Sequence, residues 1–244
     1  MLQKITRAHE RGVSEYGWLS SRFSFSFADY YNPKQMGFGA LRVINDDIIA
    51  PNTGFDMHSH RDMEIITIVL DGEVTHEDSM GNKKKVEAGE VQIMSAGTGV
   101  THSEHNRNPM FALKLFQIWI FPHTRGIAPR YAQRKFELQE NTMEAVVQGV
   151  PFGVLPDSGE PSDVLKIVQD AQISIGKYSI NKEFQLDIPE GRGVYILVID
   201  GNFEIAGAEL GPRDAIEISE VSTLSGKSIQ SGSILVIQIP MLPR

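Results

Sequence analysis

The sequence predicts an all-β protein made of two tandem antiparallel β-barrels of jelly-roll type. Three observations carry that prediction. Short runs rich in Ile, Val and aromatic residues recur along the chain, each bounded by Gly, Pro, Asp or Asn. Helical periodicity is weak everywhere. Two stretches also echo each other: TIVLDGEV at 67–74 resembles ILVIDGNF at 196–203, and AGEVQIMS at 88–95 resembles PRDAIEIS at 212–219. One β-unit used twice is the pattern of a duplicated barrel. A single large sandwich is the structural alternative.

Taken in order, strands are predicted over 64–70 (EIITIVL), 91–94 (VQIM), 115–121 (LFQIWIF), 194–199 (VYILVI) and 234–239 (ILVIQI). Asp71-Gly72 and Asp200-Gly201 each follow such a run, and Asp-Gly is a strong turn signal. The segment 130–144 is the best candidate for a helix or linker, and the two copies join near residues 122–142. The expected domains are an N-terminal barrel, residues 1–135, and a C-terminal barrel, residues 136–244.

Composition removes several function classes. The 244 residues include no cysteine, which excludes disulfides, thiolate zinc sites, iron–sulfur clusters and thiol nucleophiles. The opening MLQKITRAHERG is charged and has no apolar signal core, and no apolar run approaches a membrane span. A cytoplasmic protein without membrane contact is expected. The net charge of −8 argues against a nucleic-acid partner. The one basic run, Lys83-Lys84-Lys85, lies beside a hairpin tip at Met80-Gly81-Asn82 and reads as a solvated turn.

Five of the seven histidines lie between residues 58 and 105. His58 and His60 are two apart, as are His102 and Glu104. Residues two apart on a strand share a face, so each pair can point two ligands into a barrel interior. Three imidazoles and a carboxylate around one point suit iron, manganese, nickel, cobalt, copper or zinc. An octahedral ion held by four such ligands keeps two positions open for an oxygen-donor substrate and dioxygen.

The residues also carry a family resemblance. The run Gly54…His58-Ser59-His60…Glu64…Gly72 resembles the first cupin motif, and Gly89…Gly97…His102…Asn106 resembles the second. More narrowly, SFSFADYYNP (24–33), GFGALRVINDD (37–47), HSHRDMEIITIVLDG (58–72), HEDSMGN (76–82) and IMSAGTGVTHSEHN (93–106) resemble the pirin family, a family of bicupins. The match covers nearly all of the N-terminal half; the C-terminal half matches only in its β pattern. The resemblance implies one metal held by His58, His60, His102 and Glu104. It gives Glu64, a ligand in many other cupins, no more than a supporting place behind those ligands. Gly54 sits closer to His58 than the general cupin motif asks, a departure that pirins share.

Aligned without gaps on the turn glycines, the second copy has Asp187 and Pro189 at the places of His58 and His60. It has Leu224 and Gly226 at the places of His102 and Glu104. The second barrel therefore lacks this ligand set and is expected to serve packing, shielding or partner binding. His105 reads as structural and His76 as a surface strand residue or one at the pocket entrance. His9 and His123 read as surface residues, and Met57, Met63 and Met94 as core. No phosphate-binding loop, nucleophile elbow or helical zinc-protease spacing occurs.

For function, the resemblance implies a dioxygenase with quercetin 2,3-dioxygenase activity. The ion expected is iron(II), and the substrates are a polyphenol and dioxygen. Glu104 would accept the proton of the flavonol 3-hydroxyl, and ring cleavage would release carbon monoxide. The alternatives are a redox-responsive regulator that binds a protein partner, and a cupin enzyme using the metal as a Lewis acid. A monomer is expected, because two barrels can cover each other's edges.

Overall fold

The computed structural model describes residues 1–156 and 163–241. Among the described residues the regular structure is almost wholly strand, with one short 3-10 turn, Ala8–Glu10, and no α-helix. The strands of the first half are β1 (Leu2–Thr6), β2 (Gly12–Glu15), β3 (Leu19–Phe23), β4 (Leu41–Ile49), β5 (Thr53–His60), β6 (Glu64–Asp71), β7 (Glu73–Asp78), β8 (Lys83–Glu87), β9 (Glu90–Ser95), β10 (Val100–Asn106), β11 (Leu113–Ile120) and β12 (Arg130–Lys135). Those of the second are β13 (Thr142–Gly149), β14 (Leu165–Ile167), β15 (Gln172–Tyr178), β16 (Glu183–Asp187), β17 (Arg192–Ile205), β18 (Ala208–Leu210), β19 (Ala215–Ser219) and β20 (Thr223–Pro240).

In the first half a seven-stranded sheet, β12-β9-β6-β11-β4-β3-β2, faces a four-stranded sheet, β5-β10-β7-β8. The second half is one nine-stranded sheet with the path β1-β19-β17-β20-β15-β13-β14. Its long strands fold it over, since Ile196 and Phe203, both from β17, share one buried cluster with Leu186, Ile216 and Ile234. The chain's first strand crosses to this second unit, where Ile5 pairs with Ile216. The fold is that of a bicupin.

The predicted strands are unusually apolar because the sheet between the two halves is covered on both faces. Ile66, Ile68, Phe116, Ile118 and Ile120 face the second unit and share a cluster with Val147, Ile173, Leu197, Leu235 and Ile237. The intervening positions Thr67, Gln117 and Trp119 point the other way, into the first barrel. Its interior is mixed: Val69 and Leu115 join one apolar cluster and Ile65 and Met94 another, with Thr67 and Gln117 between them, while its back is hydrocarbon.

Two expectations fail. The segment 130–144 is no helix: β12 pairs antiparallel with β9, and only residues 136–141 connect it to β13. As an edge strand with Gln and Arg between its inward residues, it lacks the apolar alternation that marks a strand. Asp200-Gly201 is not a turn either, because β17 runs through it with irregular register against β20. Gly201 has φ +74°, and a Cβ there would meet the Ser231 carbonyl oxygen at 2.5 Å. The glycine is needed for close approach of the neighbouring strand.

Candidate metal centre

The four-stranded sheet builds the site. In β10, His102 lies opposite His58 of β5 on one side and Asp78 of β7 on the other, while Glu104 lies opposite His76. A bulge between His102 and Glu104 in the β5 pairing adjusts how the two side chains present. Gly54 permits the approach, since a Cβ there would meet the Glu104 carbonyl oxygen at 2.3 Å.

The three expected histidines converge. Ring centroids are 4.8 Å apart for His58 and His60, 4.4 Å for His58 and His102, and 4.9 Å for His60 and His102. Each offers a ring nitrogen within 4.8 Å of the others. His58 Nδ1 lies 2.7 Å from the Asp56 carbonyl oxygen, which leaves Nε2 free for the cluster. Burial, then the neighbouring imidazoles, push His60 down to about 4 and His102 to about 3. Both are neutral near pH 7, with lone pairs available. His102 is the telling residue: it is buried, and neither ring nitrogen has a hydrogen-bond partner among the described residues. A buried imidazole left unpaired at both ends fits a metal ligand.

Glu104 stands deeper. Its nearest ligand group is His76 and His102, whose donor atoms and its own lie within 4.8 Å of one another. Its carboxylate is fixed from the opposing sheet. Gln117 Nε2 donates to Oε2 at 2.8 Å, and Thr67 Oγ1 and Gln92 Nε2 donate to Oε1 at 3.2 and 3.3 Å. Tyr131 Oη of β12 lies 2.7 Å from Gln133 Oε1 and 3.1 Å from Gln92 Oε1, so the segment read as a helix or linker flanks the partner of Glu104.

Several residues stand where the sequence did not put them. His76 is fully buried, pairs through Nε2 with Asp78 at 3.1 Å and stacks against Tyr131 at 4.7 Å. It is neither a surface residue nor part of the cavity lining. Glu64 is not behind the ligands. The turn at Asp62 stands between it and His60, and its carboxyl accepts from Ser95 Oγ at 2.8 Å in the other sheet. Burial pushes Glu64 up to about 7. His123 is half-buried, with Nε2 3.1 Å from the Val150 carbonyl oxygen, and Met57 is exposed rather than core. His105 lines the cavity, with Nε2 3.5 Å from Asp56 Oδ1.

The cluster opens on a cavity of about 730 Å³. Trp18, Phe27, Phe55 and Trp119 form aromatic walls, and Trp119 meets the His60 ring edge-on at 4.9 Å. Asn52, Asp56 and Arg107 add polar groups to the lining, as do Asn45, Asp47 and Gln117 from β4 and β11. Sequence reading missed them, although Asn45-Asp46-Asp47 inside an otherwise apolar strand is a visible signal. Burial pushes Asp47 up to about 7, against the hydrogen bond it accepts from Ser21. The second barrel's interior is instead filled with hydrocarbon. Leu224 is buried there, and Gly226 lies under the Phe184 ring.

Comparison with known proteins agrees with this architecture. The family model for pirin matches residues 5–120, and that for the quercetinase C-terminal cupin domain matches residues 156–239. A curated Escherichia coli protein, quercetin 2,3-dioxygenase, is 44% identical over 238 residues, covering 97% of this chain and 98% of its own. The chain belongs to the pirin family. A pirin-like protein of Caulobacter vibrioides is 37% identical, with 93% of this chain and 94% of its own covered. The crystal structure of YhhW from Escherichia coli superposes with a TM-score of 0.92 at 41% identity, covering all of both chains. A second structure of that bacterial pirin, in complex with nickel(II), gives 0.91 at 41% identity and covers 99% of this chain and 100% of its own. The pirin fold thus extends through both halves, including the half whose sequence matched only in its β pattern.

Proposed function

We propose that this chain is a metal-dependent dioxygenase that cleaves flavonols such as quercetin across the 2,3-bond. His58, His60, His102 and Glu104 would hold one divalent ion, iron(II) in our reading. Glu104 would serve also as the proton acceptor. The observation that carries the proposal is the unpaired, buried His102 imidazole, set against His58 and His60, which line an aromatic-walled cavity. The relative named quercetin 2,3-dioxygenase, matched over nearly its full length, supports the same activity.

When bound, the ion supplies the redox chemistry that lets a flavonol and dioxygen react. The rest is done by the chain's own side chains. Trp18, Phe27, Phe55 and Trp119 grip a flat aromatic body and keep water away from it. Glu104 would take the proton of the flavonol 3-hydroxyl, and Gln117, Thr67 and Gln92 hold its carboxylate. Each turnover consumes one flavonol and one dioxygen and yields one carbon monoxide and one aryl ester that takes up both oxygen atoms. The barrel of residues 136–244 is assigned to packing against the back of the first. The cysteine-free acidic chain is read as a cytoplasmic monomer that acts on small molecules rather than nucleic acid.

Oxygen uptake tests the proposal. Iron(II)-loaded protein is expected to consume oxygen in step with quercetin loss. Zinc-loaded protein, His58→Ala and Glu104→Ala should do so at least 100-fold more slowly. Absence of uptake by protein holding one equivalent of iron would overturn it.

A further inference from the structure

The metal cluster and the carboxylate beside it leave one part of the cavity without a role. Asn45 and Asp47 lie two apart on β4, so both side chains project from one face, and both line the cavity. Each residue is 3% exposed. Asn45 Oδ1 is sealed from solvent and has no hydrogen-bond partner among the described residues. Asp47 is anchored through Oδ1 by Ser21, and Oδ2 is its second acceptor. The nearby Trp119 indole N–H is likewise buried and unpartnered. A buried amide oxygen without a donor is unfavourable, and native proteins rarely keep one unless something else satisfies it.

The position of this pair relative to the chemistry is fixed by register. Asn45 lies directly opposite Gln117 on β11, and Gln117 donates to Glu104. Cross-strand partners stand roughly 5 Å apart, so the pair lies within the length of a small aromatic compound from the cluster. What reaches it must be flat enough for the aromatic walls and must carry O–H donors at the end remote from the metal.

We propose that Asn45 and Asp47 form a hydroxyl-recognition subsite that selects polyhydroxylated aromatic substrates over those lacking the remote hydroxyls. This rests on the reading of the cavity as a polyphenol site and deepens it. Asn45 Nδ2 donates to a phenolic oxygen, and a phenolic O–H donates to Asp47 Oδ2. A compound without those hydroxyls leaves both groups unpaired and is rejected on that ground.

The test compares quercetin with 3-hydroxyflavone, which keeps the metal-binding hydroxyl and lacks the others. Binding is followed under nitrogen to zinc-loaded and metal-free protein by quenching of Trp18 and Trp119, both in the cavity wall. Quercetin should bind more tightly than 3-hydroxyflavone. Asn45→Leu and Asp47→Asn should each weaken quercetin by about three- to ten-fold and leave 3-hydroxyflavone unchanged. Asn45→Leu keeps the shape and removes the unpaired oxygen, so it should also raise the melting temperature of the ligand-free protein. With iron and oxygen, the variants should raise KM for quercetin more than they lower kcat. Equal binding of the two flavonols, retention of the preference in both variants, or failure of quercetin to bind would overturn the subsite. Selective quercetin binding without oxygen uptake would leave the subsite standing and overturn the dioxygenase reading instead.

Discussion

Glu104 is held at both carboxylate oxygens by neutral donors from the opposite sheet. Gln117→Leu removes the shortest of these bonds while keeping the volume. It should weaken metal affinity or turnover by roughly 10- to 100-fold, measured by chelator competition and oxygen uptake. Glu64 is the opposite case, a carboxyl far from the cluster with a consequence for stability. Its folded value is about 7 against 4.5 for the free group. Between those values the folded state keeps a proton that the unfolded chain has lost. Its stabilising contribution is thus full below about pH 4.5 and is lost as pH rises through 7. Glu64→Gln cannot ionise. From pH 5 to pH 8 it should gain roughly 2–3 kcal/mol relative to the unaltered protein in urea unfolding. An equal pH slope for both proteins would show that Glu64 is ionised in the fold. His60 and His102 are held neutral by burial, so their contribution runs the other way and is lost as pH falls from 6.5 toward 4 and 3. The histidines were legible in the sequence because paired ligands two apart are rare by chance. Gln92 and Gln117 were not, since a polar residue alternating with apolar ones reads as solvent-facing. Here it faces the barrel interior instead.

The element that matters most is the β5–β10 pair, which carries all four candidate ligands. Its closeness depends on Gly54, whose missing Cβ leaves room for the backbone of Glu104 and His105. Gly54→Ala forces the two strands apart. It should lower metal content below half an equivalent and depress the melting temperature, as read by metal analysis and circular dichroism. Full metal content in that variant would show that the pairing tolerates the displacement. At this scale the sequence was clear for buried strands and poor at edges. Runs such as 64–70 are covered on both faces and announce themselves by composition. Strand β12 is an edge whose contributions are single side chains, Tyr131 above all, and its period resembles neither a strand nor a helix. The break between β5 and β6 was also hidden, because the Asp62 turn that separates Glu64 from His60 has no glycine to mark it.

Across the whole molecule, the two barrels are joined by a shared apolar seam rather than a linker. Ile66, Ile118 and Phe116 pack in one cluster with Leu235, Ile237 and Ile173, and β1 leaves the first half to pair in the second. The halves should therefore unfold together. Leu235→Ala, in the second barrel, should cost roughly 2–5 kcal/mol. It should shift the fluorescence transition of Trp18 and Trp119, both in the first, in step with the far-ultraviolet signal of the whole chain. Separate transitions would mean independent domains. The duplication was legible from the two echoing strand–turn patterns, but the seam was not, because sequence shows that a strand is apolar without showing what covers each face. A metal-holding, flavonol-cleaving site in this seam-backed barrel ties the carbon monoxide released to the oxygen consumed. Iron(II)-loaded protein with quercetin should release one carbon monoxide per dioxygen taken up, and His102→Ala should release none. Oxygen uptake without carbon monoxide, or equal release by the His102→Ala protein, would contradict it.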